Sequence, residues 1–417
     1  MGAISGGIGQ RLFGEPRIDD AGPGVRVARA FDLGNLIEVE TAEGPVVVDT
    51  TSSRAAAAAA RHALAERVAA PPRYLVYTHS HSDHTSGAEA LVGDRTEAVV
   101  AQAQVGPLTE RDHGCLGAWT ARHRAHQRGR PLDPPFEDRG YVTPTLTFDG
   151  ALDLEVGGVT LHLEHTEGET RDHLLVWLPE SRVLLPGDLI YPAFPNLSTP
   201  AVGPRPIQGW LRSLERFREL GAEHLVPSHG PPISGAEEVD GVLAVYHEAI
   251  QHVWDEAVRA IDAGVDVHRA ARTIHLPPHL AAHPWLREVY GTVAWGVRAV
   301  YDVLTGWYDL TPATLDPHPR AHVHEALLDV VAPDRVVARA EEALAHDDPQ
   351  LALELTDVVL DVDPAHEGAN LVQIEACRLL RDRATSINQR GFYHSGIALA
   401  RRRLAGEGST ETGHGAA

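Results

Sequence analysis

The chain has 417 residues, 43% hydrophobic and 23% charged, enough for two globular domains or one large domain with a helical extension. Its formal net charge is −22, which repels nucleic acid and leaves an anionic substrate to be captured by local positive charge such as metal ions. There is no Lys, so Schiff-base chemistry is excluded, and Cys115 and Cys377 stand far apart in no metal-type spacing.

The first 24 residues are Gly-rich and read as a flexible arm. From Val25 the chain alternates through residues 25–31, 35–40 and 45–49, with a turn at Glu43-Gly44, as an antiparallel strand run does. Residues 55–68 are Ala-rich and follow Ser52-Ser53, which suits a capped helix. Residues 73–77 form a short apolar strand. Residues 104–140 are irregular, carry His113, His123 and His126, and are expected to form a lid. Strands return at 152–156, 159–163, 174–178 and 182–185, and a helix at 208–220 leads to a strand at 224–227. The alternation fits a sandwich of two sheets covered by helices.

After about residue 238 the apolar spacing becomes helical, over 238–263 and 283–307. From Pro333 the pattern is that of stacked helix pairs, with tetratricopeptide-like punctuation at Asp348-Pro349 and Asp363-Pro364. One and a half repeats cannot form a solenoid, so these helices need the catalytic domain or a second subunit. The expected division is an arm over 1–24, a catalytic domain over 25–238, a helical linker over 239–315, an all-α dimerisation domain over 316–405 and a disordered tail over 406–417. The N-terminus carries no signal-peptide pattern and no run reaches the roughly 18 apolar residues of a membrane span, so the expected location is the cytoplasm, with no membrane partner.

The chemistry concentrates in Thr78-His79-Ser80-His81-Ser82-Asp83-His84, four metal-competent side chains just after an apolar strand. A loop leaving a strand can aim alternate side chains at one ion, so His79 and His81 bind together while Asp83 and His84 turn to a second. Imidazole and carboxylate suit zinc, and also iron or manganese. His165-Thr166-Glu167-Gly168-Glu169-Thr170, Leu185-Pro186-Gly187-Asp188 and Val226-Pro227-Ser228-His229 each follow a later strand.

The order of these blocks resembles the metallo-β-lactamase superfamily, which implies an α/β fold, the αββα sandwich. In that superfamily the third block usually reads His-Thr-Pro-Gly-His-Thr with its second His a ligand; here Glu169 falls on the ligand position and His165 on the non-ligand one. A Glu in that slot resembles the alkylsulfatase branch. Asn196, eight residues after Asp188, has the spacing of that branch's substrate-contacting Asn. Tyr290-Gly291-Thr292-Val293, Arg298-Ala299-Val300-Tyr301 and Gly306-Trp307-Tyr308-Asp309 resemble its long linker helix. The helices ending in Arg390-Gly391-Phe392-Tyr393 with Ser395-Gly396 resemble its dimerisation domain. The likeness spans about residues 25 to 403.

The resemblance implies a binuclear hydrolase with two divalent ions, zinc foremost. His79, His81 and Glu169 would hold one, Asp83, His84 and His229 the other, and Asp188 would bridge them. Two ions about 3.5–4 Å apart can hold a hydroxide that attacks the ester. Asp83 and Asp188 are the carboxylates expected at the reacting centre. The substrate would be a small-molecule sulfate ester, and the assembly a homodimer. Asp172 is expected to orient a ligand, and His165 and His173 to lie behind the ligands or in solvent.

Two departures weaken the parallel. The branch's general-acid His is replaced by Trp295, and its sulfate-clamping Arg falls near Ala201, with Arg205 available only if the loop is shorter. The branch's detergent-degrading members continue into a lipid-carrier-like domain that this sequence lacks, so a short or aryl ester is expected, with His173 or the histidines of 113–126 as candidate proton donors. Hydrolysis of another ester, such as a phosphodiester or lactone, is the first alternative. One-iron redox chemistry and an inactive dimeric scaffold are the others; the complete ligand set weighs against both.

Overall fold

The computed structural model describes residues 14–65, 72–131, 139–203 and 205–407. The chain divides into two compact units: residues 1–117 with 137–304, and residues 118–136 with 305–417.

Among the described residues the first unit holds thirteen strands: β1 (Arg17–Asp20), β2 (Val25–Arg29), β3 (Leu36–Val39), β4 (Val46–Val48), β5 (Tyr74–Val76), β6 (Ala98–Gln102), β7 (Leu146–Phe148), β8 (Ala151–Val156), β9 (Val159–His165), β10 (Leu174–Leu178), β11 (Val183–Leu185), β12 (His224–Leu225) and β13 (Ile233–Ser234). One sheet runs β1 to β7 in order and the other β13-β12-β11-β10-β9-β8. The first begins antiparallel and turns parallel from β4 to β7.

Alternation builds the layers. Val46 and Val48 of β4, Val76 of β5 and Val100 of β6 face a core shared with Leu161, Leu163, Leu174 and Val176 of the other sheet. The intervening Val47, Leu75 and Val99 face outward under helix α1 (Arg54–Ala65), through Ala57, Ala60 and Leu64. That double burial is why these strands read as near-continuous apolar runs. On the far side Leu175 and Leu184 pack under α2 (Ile207–Leu220) and α3 (Ala236–Asp262), with Trp210, Phe217, Tyr246 and Val253 filling the layer. The result is the αββα sandwich. Ser53 caps α1, its Oγ accepting from the Ala56 N–H at 3.2 Å.

Two boundaries differ from expectation. The 14–24 part of the arm contains β1, paired with β2 from Arg17 opposite Arg29 to Asp20 opposite Arg26; residues 1–13 lie outside the described residues. The helices after 238 do not form a separate linker. Those up to Leu304 belong to the first unit, because Tyr246, Ile250, Val253, Val297 and Val300 share one core with Trp210.

The second unit contains α4 (Gly117–Gln127, from Ala118), α5 (Arg320–Leu328), α6 (Pro333–Ala345), α7 (Pro349–Leu360), α8 (Glu367–Arg383) and α9 (Ile387–Leu404). Val337, Ala340, Ala352, Val359, Ala369, Val372 and Ala376 make its core. Helix α4 is a helical part of the 104–140 stretch. It is keyed to α9: Gln127 Nε2 donates to Asn388 Oδ1 at 2.9 Å and Ser395 Oγ to the His126 carbonyl at 2.7 Å. Gly391 admits the close approach, since a Cβ there would stand 1.7 Å from the Gln127 carbonyl oxygen. Residues 132–138 of the expected lid, and 408–417 of the expected tail, lie outside the described residues.

Candidate metal centre

Each polar block begins where a strand ends. Asp49 follows β4, Thr78 to His84 follow β5, Glu169 follows β9, Asp188 follows β11, and Ser228-His229 follow β12. The loops converge. Three groups of ligand-type atoms gather within 4.8 Å of one another: His79, His84 and Asp188; Asp83, His84 and His229; and His81, Glu169 and Asp188. All seven side chains singled out as ligands are therefore brought together.

Asp49 orients the cluster from behind, and the sequence reading missed it. Fully buried in a left-handed conformation (φ 60°), it accepts from His84 Nδ1 at 2.7 Å, Ser228 Oγ at 2.6 Å and the Thr78 N–H at 2.9 Å. Positive φ is uncommon for a residue with a side chain and tolerable for Asp. With Nδ1 so engaged, His84 turns Nε2 to the cluster, 3.3 Å from Asp188 Oδ2 and 3.7 Å from Asp83 Oδ2. His229 is set the same way: Nδ1 donates to the Leu33 carbonyl at 2.8 Å, and Nε2 lies 3.1 Å from Asp188 Oδ2 and 3.5 Å from Asp83 Oδ2. A ring whose second nitrogen is tied down presents a fixed ligand atom.

His173 takes a structural position. Its Nε2 accepts the Asp188 N–H at 3.0 Å, and burial pushes its pKa down to about 3. A neutral ring with that nitrogen used as acceptor has no proton there to give, so the geometry removes His173 as a proton donor. His165 stays out of the cluster, its Nε2 donating to the Arg171 carbonyl at 2.7 Å. Asp172 is buried beside Ser80 and Thr170, and burial raises its pKa. The carboxylate that holds a ligand ring is Asp49.

The electrostatics suit cations. Burial pushes His79 well down, and the neighbouring His84 adds to the effect; burial, then Arg205, lower His81 to about 3. Burial opposes charge on Asp188, yet His229 and His84 more than offset it and hold the carboxyl well below its ordinary range. Burial likewise opposes charge on His84 and His229, but Asp188 leads the carboxylates that raise both, His229 to about 9. Burial lifts Glu169 to about 7 against the pull of Arg205. Buried polar atoms normally find partners. Here His84 Nε2, Glu169 Oε2 and Asp188 Oδ1, on three side chains of the cluster, are buried without a hydrogen bond. Imidazole nitrogens and carboxylate oxygens at this spacing fit transition-metal coordination at about 2.0–2.2 Å per ligand.

Asn196 and Arg205 adjoin the cluster. Arg205 forms an ion pair with Glu169 Oε1, both side chains buried. With its amide oriented to satisfy both ends, Asn196 Oδ1 accepts from Arg205 Nη2 at 3.2 Å and Nδ2 donates to the Ser198 carbonyl at 2.8 Å. The Asn196 N–H donates to Tyr191 Oη at 2.6 Å. Tyr191, also missed from sequence, sets its ring edge-on 6.3 Å from His229 and 6.5 Å from Tyr290. Trp295 is half-buried in the first turn of the helix Val293–Thr305. That segment abuts the Asn196 loop: a Cβ on Gly291 would lie 2.8 Å from Asn196 Cα, and one on Gly296 3.1 Å from Leu197 Cδ1.

Residues 30–229 match the family described as Metallo-beta-lactamase superfamily, and residues 267–402 match Alkyl sulfatase dimerisation. A linear primary-alkylsulfatase of Pseudomonas sp. (strain ATCC 19151) is 31% identical over 85% of this chain and 72% of its own length. An (R)-specific secondary-alkylsulfatase of Pseudomonas sp. is 27% identical over 90% of this chain, which spans 61% of that protein. The solved structure of the stereoselective inverting sec-alkylsulfatase Pisa1 from Pseudomonas sp. superposes with a TM-score of 0.84 at 24% identity, covering 93% of this chain and 66% of that one. This last likeness speaks for the fold.

Proposed function

The chain belongs to the alkylsulfatase family of the metallo-beta-lactamase superfamily, and from that premise we propose that it is a binuclear metal-dependent hydrolase of a sulfate ester. The observation that carries the reading is the convergence of seven ligand side chains with three orphaned, buried ligand atoms among them. His79, His81 and Glu169 would hold one ion, Asp83, His84 and His229 the other, and Asp188 both; zinc is the ion the donor set suits first. Bound there, the ions would supply a hydroxide nucleophile at neutral pH and neutralise developing charge.

The chain's own residues do the rest. Asp49 and the Leu33 carbonyl fix the rings of His84 and His229. Asn196 and Arg205 place donors beside Glu169, suited to an anionic ester. Trp295 has no proton to give as an imidazole has, and acid catalysis contributes about 10²–10⁴-fold. The substrate is therefore an aryl or otherwise activated ester, whose leaving group needs less help. The second unit supports assembly as a homodimer. Among the described residues no helix is long and apolar enough to cross a membrane, and both cysteines are free, which favours a cytoplasmic setting.

The test is a metal count and an ester panel on the same preparation. Two ions per chain are expected, with aryl sulfates turned over faster than alkyl sulfates and Trp295→His raising the alkyl rate. Asp83→Asn or His229→Ala should lose one ion and nearly all activity. Efficient hydrolysis of phosphodiesters or lactones with every sulfate ester untouched would sink the sulfatase reading, and one ion or none the binuclear one.

A further inference from the structure

Glu169 has a backbone fixed on one side and a side chain that needs fixing. The preceding Gly168 is wedged into the core: a Cβ there would stand 2.3 Å from Leu189 Cδ2 and 2.9 Å from Trp210 Cγ. Beyond that anchor the Glu169 side chain keeps three rotatable bonds. Its Oε1 is taken by Arg205, while Oε2 is buried with no hydrogen-bond partner. Arg205 is itself rigidly presented. It is 6% exposed, its carbonyl accepts from the Ile207 N–H at 2.9 Å at the start of α2, and Trp210 of that helix donates from Nε1 to the Leu189 carbonyl at 3.0 Å. Trp210 of α2 thus confines Gly168, and Arg205, two residues before that helix, pairs with the Glu169 carboxylate. The other end of the guanidinium donates to Asn196 Oδ1.

A guanidinium is a planar fork whose donors suit two acceptors at once. Here the two are a ligand carboxylate and the amide that lines the candidate ester seat. We propose that Arg205 is a positioning residue for the metal centre: it fixes the Glu169 carboxylate, whose Oε1 lies 3.8 Å from His81 Nδ1, within the group that Glu169 forms with His81 and Asp188, and it couples the Asn196 loop to that ligand. The inference rests on the binuclear reading above, and gives Arg205 a role that exists before any ester binds.

The experiment titrates Zn²⁺ and Co²⁺ into metal-stripped full-length wild type, Arg205→Gln and Arg205→Lys, following metal content and the cobalt absorption spectrum. In Arg205→Gln one of the two sites should weaken by about 10–100-fold, the scale seen when a partner of a metal ligand is removed. The second site should keep its affinity, and Arg205→Lys, charged but without the fork, should recover only part of the loss. Two sites of unchanged affinity in Arg205→Gln, with only KM for the ester raised, would overturn the proposal and leave Arg205 a substrate contact. Wild type that binds fewer than two ions overturns the binuclear reading itself, and with it this inference, before any variant is compared. If Arg205→Gln fails to fold, Asn196→Ala carries the test, since it loosens the guanidinium and leaves it in place. A smaller loss at the same site supports the proposal, and unchanged affinity refutes it.

Discussion

At the scale of the residue, the centre is a set of rings held from behind and carboxylates set among imidazoles and Arg205. Asp49→Ala removes the partner of His84 Nδ1 and leaves Ser228 and Thr78 facing a cavity. Metal affinity should fall about 10–100-fold with the seven ligands intact, read by competition against a chelator of known affinity; unchanged affinity would show that Asp49 serves only the fold. The charge pattern also sets a pH dependence for metal-stripped protein. His84 and His229 are raised, so the stability they lend is full below an unfolded pKa of about 6.5 and is lost as pH rises, for His229 through about 9. Asp83 and Asp188 are lowered, so their contribution is present above about 3.9 and lost as pH falls. Stripped protein should therefore melt at lower temperature at pH 9 than at pH 6. Metal binding should release protons and tighten over that interval. Equal melting temperatures at the two pH values would contradict the assignment. The seven side chains that the structure gathers were readable as a group because each of their blocks follows a strand. Asp49 was not, because a lone Asp after three valines reads as the end of a strand, and its partners are up to 179 residues away.

At the scale of the element, the strands act as rails, and glycines decide how closely the rails' ends may approach. Gly187 has φ 56°, and a Cβ there would lie 2.4 Å from His173 Nε2 and 3.1 Å from Thr78 Cβ. Gly187→Ala combines backbone strain with that clash, so a cost of about 1–3 kcal/mol or more is expected. The melting temperature should fall and Asp188, the next residue, should shift. A variant as stable as wild type would mean that the loop yields without cost. The β-alternation and the 3.6-residue helical spacing were both visible in sequence, because burial on one or two faces leaves a periodic trace. The pairing of α4 with α9 was not. Histidines and arginines in an irregular stretch do not reveal their neighbours. The signal was in Gly391 and Ser395, whose small side chains make sense only once the Gln127 and His126 carbonyls stand against them.

At the scale of the whole molecule, the question is what covers the apolar surface of the helical unit. Sequence reasoning placed the uncovered faces on the helices from Pro333, yet Val337, Ala340, Ala352, Val359 and Val372 bury one another. A run of exposed apolar residues lies just before them: Leu310 at 83%, Leu315, Val323, Leu327, Val330 at 84% and Val331. Helix α5, in the middle of this stretch, buries none of its residues. Polar contacts tie it to α7 and the residue after it, with Arg320 3.2 Å from Asp357 and His324 2.9 Å from Asp361. The helix also packs Leu328 against the core while Val323 and Leu327 face outward, and exposed apolar patches of this kind mark interaction sites. The occupant expected is a second copy, because two-fold pairing is the commonest closure and the region matches a dimerisation family. Leu327→Asp with Val330→Asp should therefore shift the protein from dimer to monomer at micromolar concentration in light scattering. Metal content and melting of the first unit should be unchanged, because neither residue belongs to its core. A wild-type protein that already scatters as a monomer would refute the pairing. A double variant that stays dimeric would move the interface to another face of the same unit, with the exposed Leu371 and Leu404 the next to substitute.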